Sequence, residues 1–284
     1  MLKQTILATF VSTLTGIPVL AQNPTAPDPY IMSIRERAEY VLDITGKRFD
    51  QLLPGMMRET GIDMWIVTGN EDAHDPLFWT MMPYKNWAPI TQVLVFYDRG
   101  PELGVERLNV SRTNTQGLFE NVWDAAAWDN DRGESQWECL GRIVQERNPR
   151  RFGINEGEIQ WLAGGLSVVL KRRMVEAIGP EYSSRLESAE PLATLWAETF
   201  LEEEVVVWER AVAVSHDIIA EMFSSAVATP HVSTTDDLKY YYWQKTADLG
   251  LDLAFMPFVS IRARSAADRE KYGLSAVSYT HLTL

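Results

Sequence analysis

Apolar residues in the stretch RERAEYVLDITGKRFDQLLPGMMRETG recur at three- and four-residue intervals, the spacing that puts them on one face of a helix. Two helices are predicted there. The second presents Phe49, Leu52, Leu53, Met56 and Met57 and stops at Gly61, as a helix commonly does at glycine. IDMWIVTG is a short apolar run that predicts a strand, and NEDAHDPLFWTMMPYKNWAP predicts a loop. TQVLVFYDRGPELGVERLNVS predicts two strands joined by a turn at Asp98-Arg99-Gly100-Pro101. A helix over SQWECLGRIVQERN, a strand over RFGINE and a longer helix ending near VEAIG follow. Strands alternating with helices predict an α/β layer.

The pattern changes around SAEPLATLWAETFLEEEVVVWERAVAVSHDIIAEMFSSAV. A long amphipathic helix is predicted from near Leu201, with Trp208, Val212, Ile219, Met222 and Ala226 on one stripe. Glu202, Glu203 and Glu204 fall in its first turn, where carboxylates suit the positive end of the helix dipole. Neighbours along a helix point in different directions, so the three read as a charge cluster rather than a catalytic group. TPHVSTTDDLKYYYWQKTADLG predicts a turn, a capped helix start and a helix closed by Gly250. LAFMPFVSI predicts the strand that follows.

Composition narrows the classes. With 46% hydrophobic and 23% charged residues the chain reads as globular. A net charge of -13 argues against nucleic-acid and anionic-membrane partners. Arg150-Arg151 and Lys171-Arg172-Arg173 sit among acids and read as solvated helix ends. The N-terminus carries Lys3, an uncharged run from Gln4 to Leu20, and small residues at Val19 and Ala21. That pattern predicts a signal peptide over residues 1–21 rather than a membrane span, and a periplasmic or secreted location. Cys139 is the only cysteine, so no intramolecular disulfide forms, and it reads as a small buried apolar residue. At the other end, all eight residues of Val277–Leu284 back-translate to a string resembling the transposon-end adapter of sequencing libraries. Residues 277–284 are therefore expected to be an artefact of read-through, with the natural frame interrupted near Ala276.

Three stretches carry a family resemblance. KRFDQLLPGMMRETGIDMWIVTG resembles the opening helix and first strand of the creatinase-type N-terminal domain. FLEEEVVVWERAVAVSHDIIAEMF is similar to the helix that opens the catalytic domain of that family. ATPHVSTTDDLKYYYWQKTADLGLDLAFMPFVSI resembles its turn, second helix and following strand, with His231 standing where the family usually has Gly. In order, over residues 46–272, they resemble the Xaa-Pro aminopeptidase/prolidase family of creatinase-like, pita-bread metallopeptidases. The implied fold is α/β: a creatinase-type N-terminal domain, with a mixed sheet flanked by helices, then the truncated start of an α+β pita-bread domain. The expected organisation is signal peptide 1–21, linker and N-terminal helix 22–45, N-terminal domain 46–198, and start of the catalytic domain 199–276.

The resemblance implies an aminopeptidase cleaving the bond before a proline in second position, and the expected signal peptide makes it an exported one. Prolidase, creatinase-like hydrolase and a non-catalytic peptide-binding relative are the alternatives. Two divalent ions ~3.5–4 Å apart would activate a bridging water and clamp the oxyanion. The family holds them, as manganese or a similar ion, with two Asp, one His and two Glu, donors that suit such a metal. All five follow the strand corresponding to AFMPFVSI, so no residue of this chain is expected to be catalytic or a metal ligand, no metal is expected here, and no substrate-binding residue is assigned. A homo-oligomer is expected of the full-length protein. His74, flanked by Glu71, Asp72 and Asp75, is the most metal-like local group, and reads as solvated loop chemistry. His216 reads as a packed or half-exposed imidazole, and His231 as a turn residue. Phe78, Trp79, Met81, Met82, Tyr84 and Trp87 either cover the sheet edge or, as family N-terminal domains often do, wall a cleft or meet another subunit.

Overall fold

The structure, a computed structural model, describes residues 31–230 and 232–260 together with Ala267 and Glu270. The expected signal peptide, His231 and the adapter-like segment lie outside the described residues.

The first helix, α1 (Ile34–Gln51), starts at Ser33, whose hydroxyl accepts from the Glu36 N–H while the Glu36 side chain accepts from the Ser33 N–H. This reciprocal cap satisfies two backbone donors that a helix start otherwise leaves open. The boundary expected at residue 46 falls inside this helix. Its partner α2 (Leu53–Thr60) ends at Gly61, whose φ of +71° is the left-handed geometry that favours glycine. The strands are β1 (Met64–Asn70), β2 (Thr91–Asp98), β3 (Val105–Asn109), β4 (Glu120–Asn121), β5 (Phe152–Ile154) and β6 (Leu186–Ser188). Between them lie α3 (Ala125–Asp129), α4 (Gln136–Arg147) and α5 (Val168–Ser183), the last broken at Gly179 just before Pro180. The chain continues through α6 (Glu190–Glu198), α7 (Glu202–Met222) and α8 (Thr235–Asp248).

The six strands form one mixed sheet in the order β4-β3-β2-β1-β5-β6. The β1–β2 and β2–β3 pairs are antiparallel; β1–β5, β5–β6 and β3–β4 are parallel. Ile66 pairs with Val95 on one side and with Ile154 on the other, so β1 is central. Alternation along β1 then serves two cores at once. Trp65 and Val67 join Phe49, Leu53, Met57, Phe96 and Trp196 beneath α1, α2 and α6. Met64 and Ile66 join Leu140, Ile143, Phe152, Met174 and Ile178 beneath α4 and α5. Each large side chain so buried contributes roughly 1.5–3 kcal/mol. A central strand covered on both faces reads as an unbroken apolar run, which is what Met64 to Val67 is.

The second half departs from expectation in two places. On α7 the buried residues are Val214, Ile218 and Met222, whereas Trp208 and Val212 are exposed. The helix is apolar on most sides near its start, so its sequence alone does not choose which line faces inward; packing against α8 does. Residues 253–260 form no strand, because a strand needs a ladder partner and Leu253–Val259 pair with none of the six strands among the described residues. The capped start of α8 is as expected: the Thr234 hydroxyl accepts from the Asp237 N–H, and Asp237 accepts from the Thr234 N–H. Among the described residues no helix is long and apolar enough to cross a membrane.

Candidate functional site

In an α/β sheet the place to look is the C-terminal ends of the parallel strands, where loops can converge on a ligand. Here β5 ends beside Ile66, in the middle of β1, and the loop after β1 folds back to bring Asp75 against Asn155, the residue that follows β5. Asp75 is almost fully buried, at 1% exposure. Its Oδ1 accepts from the Leu77 N–H at 2.9 Å and its Oδ2 from Asn155 Nδ2 at 2.9 Å. Asn155, immediately after β5, accepts in turn from Trp65 Nε1 at 2.8 Å. The direction of this relay follows from chemistry. An indole N–H can only donate, so Asn155 must turn its oxygen to Trp65 and its amide nitrogen to an acceptor. Burial raises the Asp75 carboxyl above the usual carboxylate range, while the bonds from Asn155 and Leu77 pull the other way. Gly165 closes the cage: a Cβ there would lie 2.3 Å from Asp75 Oδ2.

The rest of the local acidic group goes elsewhere. His74 lies against the rings of Phe78 and Trp79, with centroids 5.1 and 4.7 Å away. Its Nε2 has no hydrogen-bond partner among the described residues. Glu71 turns to the backbone N–H of Ile90 at 3.2 Å and to Trp87 Nε1 at 3.4 Å. Asp72 is exposed on a left-handed turn with φ +61°. Among the described residues no group of three or more His, Cys, Asp or Glu is placed to hold a metal ion. The donors among the described residues therefore do not fit a pair of divalent cations. The Trp65–Asn155–Asp75 relay pins the loop to the sheet instead.

The large apolar side chains of the loop divide by burial. Phe78, Met81 and Met82 belong to the core under α1 and α6, while Trp79 and Trp87 stay exposed. Cys139 is fully buried, and burial, with Glu134 nearby, pushes its thiol up to about 12. That holds it in the unreactive thiol form. His216 is exposed on α7.

The three glutamates at the start of α7 have a more specific placement than a charge cluster. Glu203 meets Lys47 at 3.0 Å at the surface. Glu204 meets the Arg48 guanidinium at 2.8 Å, with side-chain exposures of 16% and 9%. Arg48 also donates to the Thr199 carbonyl at 2.8 Å and to the Trp196 carbonyl, and sits 4.4 Å over the Trp196 ring. Glu204 in addition accepts from the Leu201 N–H at 2.8 Å. One arginine thus gathers the end of α6, the start of α7 and the last turn of α1. No local pattern could have announced this, since the partners are about 150 residues apart in sequence.

No family model matches the chain, and no curated protein matches it. Among solved structures, a Xaa-Pro dipeptidase from Bacillus anthracis is similar with a TM-score of 0.38 at 12% identity, covering 73% of this chain and 49% of that one. The chain thus spans about half the length of that protein. A likeness at that level carries no argument for fold or function.

Proposed function

We propose that the chain is the N-terminal part of an exported Xaa-Pro aminopeptidase-like metallopeptidase. The observation that carries this reading is the order of three sequence stretches, beginning at Lys47, Phe200 and Ala228. They resemble in turn the family's first helix and strand, the helix opening its catalytic domain, and that domain's second helix. The mixed sheet followed by a helix pair is compatible with it. On this reading the described residues build the non-catalytic layer and the first two helices of the catalytic one. The dinuclear centre, with manganese or a similar ion, would come from residues downstream, and the full-length protein would be a homo-oligomer.

The test is the complete open reading frame. Its product should encode an ordered Asp-Asp-His-Glu-Glu series and, with added manganese, hydrolyse Xaa-Pro-Xaa peptides faster than Xaa-Pro dipeptides. Activity that persists undiminished in chelator would overturn the metallopeptidase reading. A product lacking the ligand series and all turnover would favour a peptide-binding relative.

A further inference from the structure

On the face opposite the α1–α2 layer, the start of β2, the end of β3 and the helices α3, α4 and α5 enclose a cleft of about 280 Å³. Its walls include Ile90, Arg112, Trp123, Trp128, Trp137 and Arg173. Small-molecule sites are concave, mostly apolar and aromatic, with a few polar groups that fix orientation. This cleft has that make-up, and its volume falls just below the usual range of about 300–1,000 Å³.

The polar groups are unequal. Arg112 is committed: it pairs with Asp129 at 2.8 Å and lies 5.6 Å over the Trp123 ring. Trp123 Nε1 is committed too, donating to the Glu134 carbonyl at 2.9 Å. The Arg173 guanidinium makes no ion pair or hydrogen bond among the described residues, and the indole N–H groups of Trp128 and Trp137 donate to none of them. All three are donors only. In a chain of net charge -13, an uncompensated cation beside aromatic walls is a local inversion of the general field. At the rim, Ile90 holds a φ of +58°, which is costly for a β-branched residue and is kept by two bonds to Glu71, one from each backbone group. Strain of this kind gathers where a surface is shaped for a ligand.

We propose that this cleft binds a small carboxylate with a flat apolar body, the ring lying against the indoles and the carboxylate on Arg173. The proposal is independent of the peptidase reading and concerns a surface that the sequence marked only as a solvated helix end.

The experiment uses the full chain with 3-phenylpropionate and, as its uncharged match, 3-phenylpropanol, read by ligand-observed magnetic resonance. Saturable binding of the acid is expected with a dissociation constant of about 1 mM or below. The alcohol should bind about tenfold more weakly, because it forgoes the charge-assisted pair. Arg173→Gln should weaken the acid by a similar factor and leave the alcohol unchanged. Arg173→Lys should retain most of the acid's affinity. Because Arg173 has no described partner, these variants should keep the parental melting curve. Absence of saturable binding by about 10 mM, equal affinity for acid and alcohol, or an Arg173→Gln variant that binds the acid normally would each overturn the proposal.

Discussion

At the scale of single residues, the buried cluster behind β1 obeys a donor–acceptor count. Trp65, Asn155 and Asp75 form a relay in which only one orientation satisfies every group. Asp75→Asn breaks it: the new amide can accept from Leu77, but its nitrogen then faces the Asn155 nitrogen. If Asn155 turns to relieve that clash, Trp65 loses its acceptor. One buried donor is left unmatched in either case, and we predict a loss of about 1–3 kcal/mol. The relay also carries a pH signature. The folded carboxyl titrates higher than an unfolded one, whose ordinary value is about 3.9. Between those two values the folded state binds more protons than the unfolded state, so this contribution to stability is full below the lower value and is lost as pH rises through the upper one. The variant lacks the titrating group. Its deficit relative to the parent should therefore be larger near about pH 4 than near about pH 7. Urea midpoints at the two pH values measure this; a deficit that grows with pH would contradict the assignment. Cys139 was readable from its helix alone, because a small apolar residue on an inward face needs no distant information. Asp75 was not: beside His74 it reads as solvated loop chemistry, whereas it is buried against a partner 80 positions away.

Among elements, the strongest prediction concerns the seam between α1 and α7. Arg48 and Glu204 are nearly enclosed, whereas the adjacent Lys47–Glu203 pair is in solvent. Exposed pairs are worth about 0–1 kcal/mol, while removing one partner of a buried pair strands the other charge and costs about 3–5 kcal/mol. Arg48→Met should therefore destabilise by about 3 kcal/mol, and Lys47→Ala by less than about 1 kcal/mol. Arg48→Met combined with Glu204→Leu should recover much of the loss, because no stranded charge remains. Chemical denaturation of the four proteins checks this, and equal effects of the two single variants would refute it. The same seam shows what periodicity can and cannot read. β1, β2 and β3 were legible because apolar runs are bounded by turn residues. β4 and β6 span two and three residues, too short for any period to register. Along α7 the composition left several apolar lines available, and the choice of Val214, Ile218 and Met222 over Trp208 belongs to its neighbours. The unformed strand over 253–260 makes the same point, since a ladder is a property of two segments.

The whole molecule is asymmetric in how its apolar surface is used. The six-stranded sheet has helices on both faces and two filled cores. The α7–α8 pair has one narrow buried line, and Phe200, Trp208, Phe223, Trp243, Phe255 and Phe258 remain exposed around it. Exposed apolar surface drives association, and these six rings stand exposed among the described residues. Opposing it is the net charge of -13, which keeps copies apart by long-range repulsion. The two effects respond differently to salt. Screening shortens the reach of charge from about 10 Å at 0.1 M to about 3 Å at 1 M, but does not weaken apolar contact. We predict that the purified chain binds a hydrophobic dye at every ionic strength and that its sedimenting mass rises with salt. Trp208→Gln combined with Trp243→Gln lies outside both cores, so it should lower both signals without shifting the melting temperature. A chain that sediments as a monomer at all salt concentrations and leaves the dye dark would show that this face is covered.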